Sequence, residues 1–152
     1  MKKLLSILLC LIICLMFGCT KNQSSNGTTT SVPSVDVVTI LDSSFVSQAN
    51  DIYLNSNNYK DKVIIVQGIY MTSTVKDKVY HYVVRNTQTP EGENKIVGFE
   101  FKYSGEMPKT NDWIQVLGNV EPSTGADDKE SIILNATRVD IMETRGQEFV
   151  SN

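Results

Sequence analysis

Few side chains in this sequence are equipped for covalent or metal chemistry: three cysteines, Cys10, Cys14 and Cys19, and one histidine, His81. A cysteine thiol can be acylated, can pair in a disulfide or can bind a soft metal. Cys10 and Cys14 lie inside an uncharged run from Leu4 to Phe17, 14 residues that are apolar apart from Ser6, and Cys19 stands just beyond it. Lys2 and Lys3 precede the run. A basic start followed by an apolar stretch is the pattern of a secretory leader, and a helix crossing the hydrocarbon core needs roughly 20 apolar residues. Residues 1–18 are therefore expected to be a signal peptide and not a lasting membrane span.

The junction reads Met16-Phe17-Gly18-Cys19. It resembles the lipobox of bacterial lipoproteins, with Met16 where leucine is usual, and the resemblance implies a diacylglyceryl group on Cys19 and cleavage before it. The alternative is an ordinary secretory leader with incidental cysteines; the depth of the Gly-Cys junction and the polar stretch after it favour lipidation. Two or three acyl chains hold a protein firmly where one does so only marginally. The expected location is the cell membrane, lipid-anchored, on the extracytoplasmic face. Beyond Cys19 the chain has no further cysteine, which excludes disulfides, thiolate catalysis and cysteine zinc sites from the folded part. Loss of Lys2 and Lys3 leaves 12 basic against 17 acidic residues, a formal charge of −5. Nucleic acid is a poor partner for such a surface, because binding depends on clustered Lys and Arg displacing counterions.

The remaining candidates are weaker. His81 stands between Tyr80 and Tyr82 with no carboxylate or second ligand at a spacing that periodicity can defend, so it reads as a surface strand residue. Asp127, Asp128 and Glu130 lack the alternating carboxylates and glycine of a calcium loop and read as a solvated hairpin. No catalytic residue, metal or cofactor is expected. Tyr80, Tyr82 and Tyr103 could stack on a sugar or a base, and at least half of the candidate aromatics are expected to be core instead. Trp113 is expected to pack under the N-terminal helix.

These residues need a scaffold. From Cys19 to residue 34 the chain is polar, with Val32 as its only sizeable aliphatic side chain; it buries too little to offset its ordering entropy and reads as a tether of at most roughly 50 Å. Residues 35–146 suffice for one core, and residues 147–152 read as a tail. Phe45, Ala49 and Ile52 recur at i, i+4, i+7 and predict an amphipathic helix over 43–54. Alternating or β-branched runs predict strands at about 62–71, 79–86, 95–103, 112–121 and 131–142. Gly68 and Gly118 fall inside two of them, where glycine marks bends. A mainly β domain follows: a five-stranded Greek-key barrel of the oligonucleotide/oligosaccharide-binding type (OB-like), preceded by one helix. Such barrels take ligands across strands two and three and the adjoining loops.

From Phe45 to Met142 the skeleton is a Phe-led helix, then Asn57 to Gly68 (Asn-Asn-Tyr-Lys-Asp-Lys-Val-Ile-Ile-Val-Gln-Gly), Gly98-Phe99-Glu100-Phe101, and Trp113 to Gly118. This resembles the soluble C-terminal domain of an uncharacterised bacterial family that accompanies a membrane permease subunit. It is also similar to anticodon-binding-like lipoprotein domains, which share a Tyr-Lys-Gly-Lys run, here Tyr59-Lys60-Asp61-Lys62. The permease-associated family has a Cys-Cys pair after strand two where this chain has Arg85-Asn86-Thr87, so no metal role transfers. The expectation is a non-enzymatic binding or adaptor module of the cell envelope, with an envelope protein or permease as partner; the alternative is a small-molecule or glycan-binding subunit associated with a membrane transporter.

Overall fold

The computed structural model describes residues 35–125 and 128–151. The leader, Cys19, the tether and Asp127 lie outside the described residues. Among the described residues the fold is mainly β, with one six-stranded sheet and one α-helix. Its strands are β1 (Asp36–Thr39), β2 (Lys62–Val75), β3 (Lys78–Gln88), β4 (Asn94–Lys102), β5 (Trp113–Thr124) and β6 (Glu130–Ile141); α1 (Phe45–Leu54) lies between the first two. Among the described residues no helix is long and apolar enough to cross a membrane.

The expected helix forms because Phe45, Ala49 and Ile52 share one face, and all three are fully buried. Its start differs from expectation. Asp42–Ser44 is a 3-10 turn, the helix proper opens at Phe45 without a side-chain cap, and the Gln48 carboxamide oxygen accepts from the Leu41 amide at 2.9 Å and the Ser44 hydroxyl at 2.8 Å. Asp42 is thereby left to face Arg85.

The strand β1 adds a sixth member to the expected five. It pairs in parallel with the start of β2, Asp36 opposite Lys62 and Thr39 opposite Ile65. β2 is also longer than expected, and it changes partner halfway. Val63 to Ile69 pair with β5, and Ile69 to Val75 pair with β3. The run expected as a loop over 72–78 is mostly strand, closed by a two-residue turn at Lys76 and Asp77 with φ of 51° and 64°, the backbone geometry that follows the twist of a hairpin. β3 pairs with β4, β4 pairs in parallel with β6 through Phe101–Leu134 and Lys102–Asn135, and β6 pairs with β5. The pairings β2–β3–β4–β6–β5 thus return to β2.

Glycine permits that change of partner. A β-carbon on Gly68 would stand 2.5 Å from the Val84 carbonyl oxygen, and one on Gly118, at the irregularity in the β5–β6 ladder, 2.7 Å from the Asn135 oxygen. Backbones approach there more closely than any side chain allows.

Inside, Phe45 and Ile52 from α1 meet Ile64, Val66, Val83, Phe99, Phe101 and Leu134. A smaller cluster of Ile69, Val84 and Trp113, with Met71, Tyr82 and Met142 against it, lies on the other face of the strands. Residues 147–151 are a docked segment and not a free tail. The Asn86 amide donates to the Glu148 carbonyl at 2.9 Å, the Val150 amide donates to the Asn86 carbonyl at 2.8 Å, and Val150 is buried.

Gly68→Ala forces two backbones apart, and overpacking of this kind costs about 2 kcal/mol. The thermal midpoint is expected to fall by about 10 °C while the far-ultraviolet spectrum of the folded state is kept. An unchanged midpoint would mean that β2 does not need the close approach to Val84.

Candidate functional site

The inward parity of β3 is odd. Val83, Arg85 and Thr87 are buried, and His81 shares their face: its ring stacks on Tyr70 at 6.0 Å, and its Nδ1 lies 2.8 Å from the Tyr70 hydroxyl. The expected surface histidine is therefore partly buried at one end of the core, beside Phe101. Its neighbours Tyr80 and Tyr82 consequently point outward.

Tyr103 does not join them. It continues the inward alternation of Phe99 and Phe101, packs against the main core, and borders a cleft of about 520 Å³ with Met107, Lys109 and Asp112. The three tyrosines expected on one ligand surface are divided between two faces. Trp113 also departs from expectation: the C-terminal segment covers it. A β-carbon on Gly146 would stand 2.7 Å from its ring, and the Arg85 and Arg145 guanidinium carbons lie 4.3 Å and 5.6 Å from the ring centre. Its Nε1 is buried without a hydrogen-bond partner among the described residues.

Of the acidic loop, Asp128 and Glu130 are among the described residues. Asp128 pairs with Lys76 at 2.8 Å, joining the β2–β3 turn to the β5–β6 loop, and Glu130 opens β6 as an exposed residue. Among the described residues no group of three or more histidine or acidic side chains is placed to hold a metal ion.

The outer face of β3 and β4 does assemble a site. Tyr82 lies opposite Glu100 on β4 and opposite Met71 on β2, and directly opposed side chains stand about 5 Å apart at Cβ. Tyr80 is the next outward residue, with the Lys78 ammonium 4.7 Å from its ring centre. Tyr53 arrives from α1, its hydroxyl donating to the Gly98 carbonyl at 3.0 Å and its ring stacked on Phe99 at 5.4 Å, with 38% of its surface still exposed. Tyr53 and Glu100 were not among the expected site residues. Tyr53 stands just off the Phe45–Ala49–Ile52 stripe, and Glu100 reads as a wet-face alternate.

Electrostatics tie the group together. Burial pushes the Tyr53 hydroxyl up to about 12, reinforced by the Glu100 and Tyr82 charges. Burial also raises Tyr82, again with help from Glu100 and Tyr80. The Glu100 carboxyl is itself raised by burial, and the positive charge of Lys78 works against that rise. The outer face of β3 and β4 thus carries the Tyr80 and Tyr82 rings beside the Glu100 carboxylate, with the Lys78 charge acting on that carboxylate.

Comparison with known proteins adds no neighbour: no family model, curated protein or solved structure matches the chain.

Carbon-13 NMR of the Glu100 carboxyl is expected to give a midpoint above the ordinary 4.5, and Lys78→Met should move it higher still. The folded state then prefers the protonated carboxyl, so the contribution of Glu100 to stability falls as pH rises from 4.5 through the raised value. Glu100→Gln should remove that fall. A midpoint at or below 4.5 that ignores Lys78 contradicts the described electrostatics.

Proposed function

We propose that the chain is a cell-envelope lipoprotein, held on the extracytoplasmic face of the membrane by acyl chains on Cys19, whose domain is a non-enzymatic binding or adaptor module. The anchor is supported by the uncharged run Leu4 to Phe17, the Gly18-Cys19 junction and the polar stretch that follows. The domain is read as an OB-like Greek-key barrel with β1 and α1 added in front. That reading draws on the ladder order β2–β3–β4–β6–β5 and the return pairing to β2.

The observation that favours a binding role is the position of the tyrosines. In such a barrel β3 and β4 are strands two and three, whose outer surface is the usual ligand face, and Tyr80, Tyr82 and Glu100 stand on the outer face of these two strands. A protein partner in the envelope, such as a permease subunit, fits the resemblance and the reach of the tether. A small-molecule or glycan-binding subunit beside a transporter is a second reading, and the same aromatic pair favours it.

Labelling cells with an alkynyl palmitate is expected to tag the intact chain, and Cys19→Ser should abolish the tag and release the protein from the membrane fraction. An untagged residue 19 in a chain that still sediments with membranes overturns the lipoprotein reading.

A further inference from the structure

β4 and β6 pair through two residues each. Next to that short ladder the C-terminal end of α1 and the β5–β6 hairpin border a cleft of about 820 Å³, within the roughly 300–1,000 Å³ of ordinary ligand pockets. Register fixes the hairpin bank. Val120 and Leu134 are opposed in the core, and the next pairs along the same face are Pro122–Ile132 and Thr124–Glu130. Ile132 is buried and Glu130 exposed, so this bank runs from an apolar floor to a polar mouth. The helix bank carries Tyr53 and Leu54, with Asn57 just after them. Tyr53 is held by its bond to Gly98 and its stacking on Phe99, so little side-chain freedom is left to lose when a ligand meets it. Leu54, at 83% exposed, is the most exposed large apolar side chain among the described residues. The side chains of Asn57, Thr124 and Glu130 make no hydrogen bond or ion pair among the described residues. The described residues lining the cleft include no Lys, Arg or His, and a helix C-terminus carries negative partial charge.

We propose that this cleft, separate from the β3–β4 face, binds a neutral saccharide, one pyranose ring laying its C–H face on Tyr53, Leu54 and Pro122 while its hydroxyls reach Asn57, Thr124 and Glu130. The assignment rests on the second reading of the domain, as a glycan-binding subunit, and gives that reading its site. A carboxamide offers both donors and an acceptor, and a carboxylate accepts from two neighbouring hydroxyls; the edge of a sugar supplies partners for both. A phosphate or an acidic sugar would meet Glu130 and the helix end with no counter-charge. A wholly apolar ligand would cover the polar mouth without pairing it.

The test is an aromatic carbon-13 NMR titration of the full chain in a polyoxyethylene detergent, which brings no sugar of its own. Methyl glucoside, methyl mannoside and N-acetylglucosamine are compared with glucuronate, inorganic phosphate and hexaproline at constant ionic strength. At least one of the three neutral sugars is expected to shift Tyr53 saturably while Tyr80 and Tyr82 hold still. Asn57→Ala and Leu54→Asp, both at exposed positions, should each weaken that sugar about tenfold. Equal shifts from glucuronate or phosphate, or an affinity indifferent to both substitutions, overturn the assignment. Hexaproline acting at Tyr53 where no sugar does replaces the saccharide by a peptide and overturns it as well. Sugar shifts confined to Tyr80 and Tyr82 overturn the cleft but keep a glycan-binding subunit, whereas silence at all three tyrosines overturns both.

Discussion

A guanidinium inside a protein must be surrounded by acceptors, and in this domain that requirement falls on Arg85, which is 1% exposed. Its Nε–H donates to the Gln67 carbonyl at 2.7 Å, one terminal nitrogen donates to the Gln147 carbonyl, and the other meets the Asp42 carboxylate at 2.9 Å. Phe45 and Trp113 lie at 5.3 Å and 4.3 Å from the guanidinium carbon. Burial pulls its proton affinity down, and the charge of Asp42 and its hydrogen bond restore part of it. A lysine offers no planar fork and could not serve three diverging acceptors and two rings at once. Each contact lies on a different part of the chain: β2 beside Gly68, the turn before α1, the C-terminal segment, the helix itself and the start of β5. Where β2 leaves β3 for β5, the Gln67 carbonyl takes its hydrogen from this side chain. One residue thus fastens the point of partner exchange and the segments on either side of the sheet.

That internal arrangement also determines the outer surface. Because Arg85 and Val83 turn inward, Tyr82 and Tyr80 turn outward, and period-two alternation carries the choice along the whole strand. The Glu100–Tyr82 pair faces solvent for the same reason that Phe99 and Phe101 do not. Placing α1 against the core brings the Tyr53 hydroxyl to the Gly98 carbonyl and its ring onto the inward Phe99.

Much of this was legible in the residues. The Phe99–Phe101 alternation, the Phe45–Ala49–Ile52 stripe and the bends at Gly68 and Gly118 follow from periodicity and from the absence of a β-carbon. The parity of β3 was not legible, since Tyr80, Tyr82, Val83 and Val84 are all apolar enough to face either way; a charged residue at the buried position, Arg85, works against any hydropathy reading. β1 was missed because four residues pairing in parallel with a strand some 26 positions later leave no local signal. The cover over Trp113 was missed for the same reason: Gly146 and Val150 are recognisable as packing residues only beside β5 and β3.

The most direct measurement is native-state hydrogen exchange on Arg85→Met compared with the parent chain. If Arg85 fastens the C-terminal segment to β3, the Asn86 and Val150 amides, which bond across that junction, lose protection in the variant well before the Val66 and Val116 amides of the β2–β5 ladder. Unchanged protection at Asn86 and Val150, with global stability within about 0.5 kcal/mol of the parent, would contradict the central role given to this side chain.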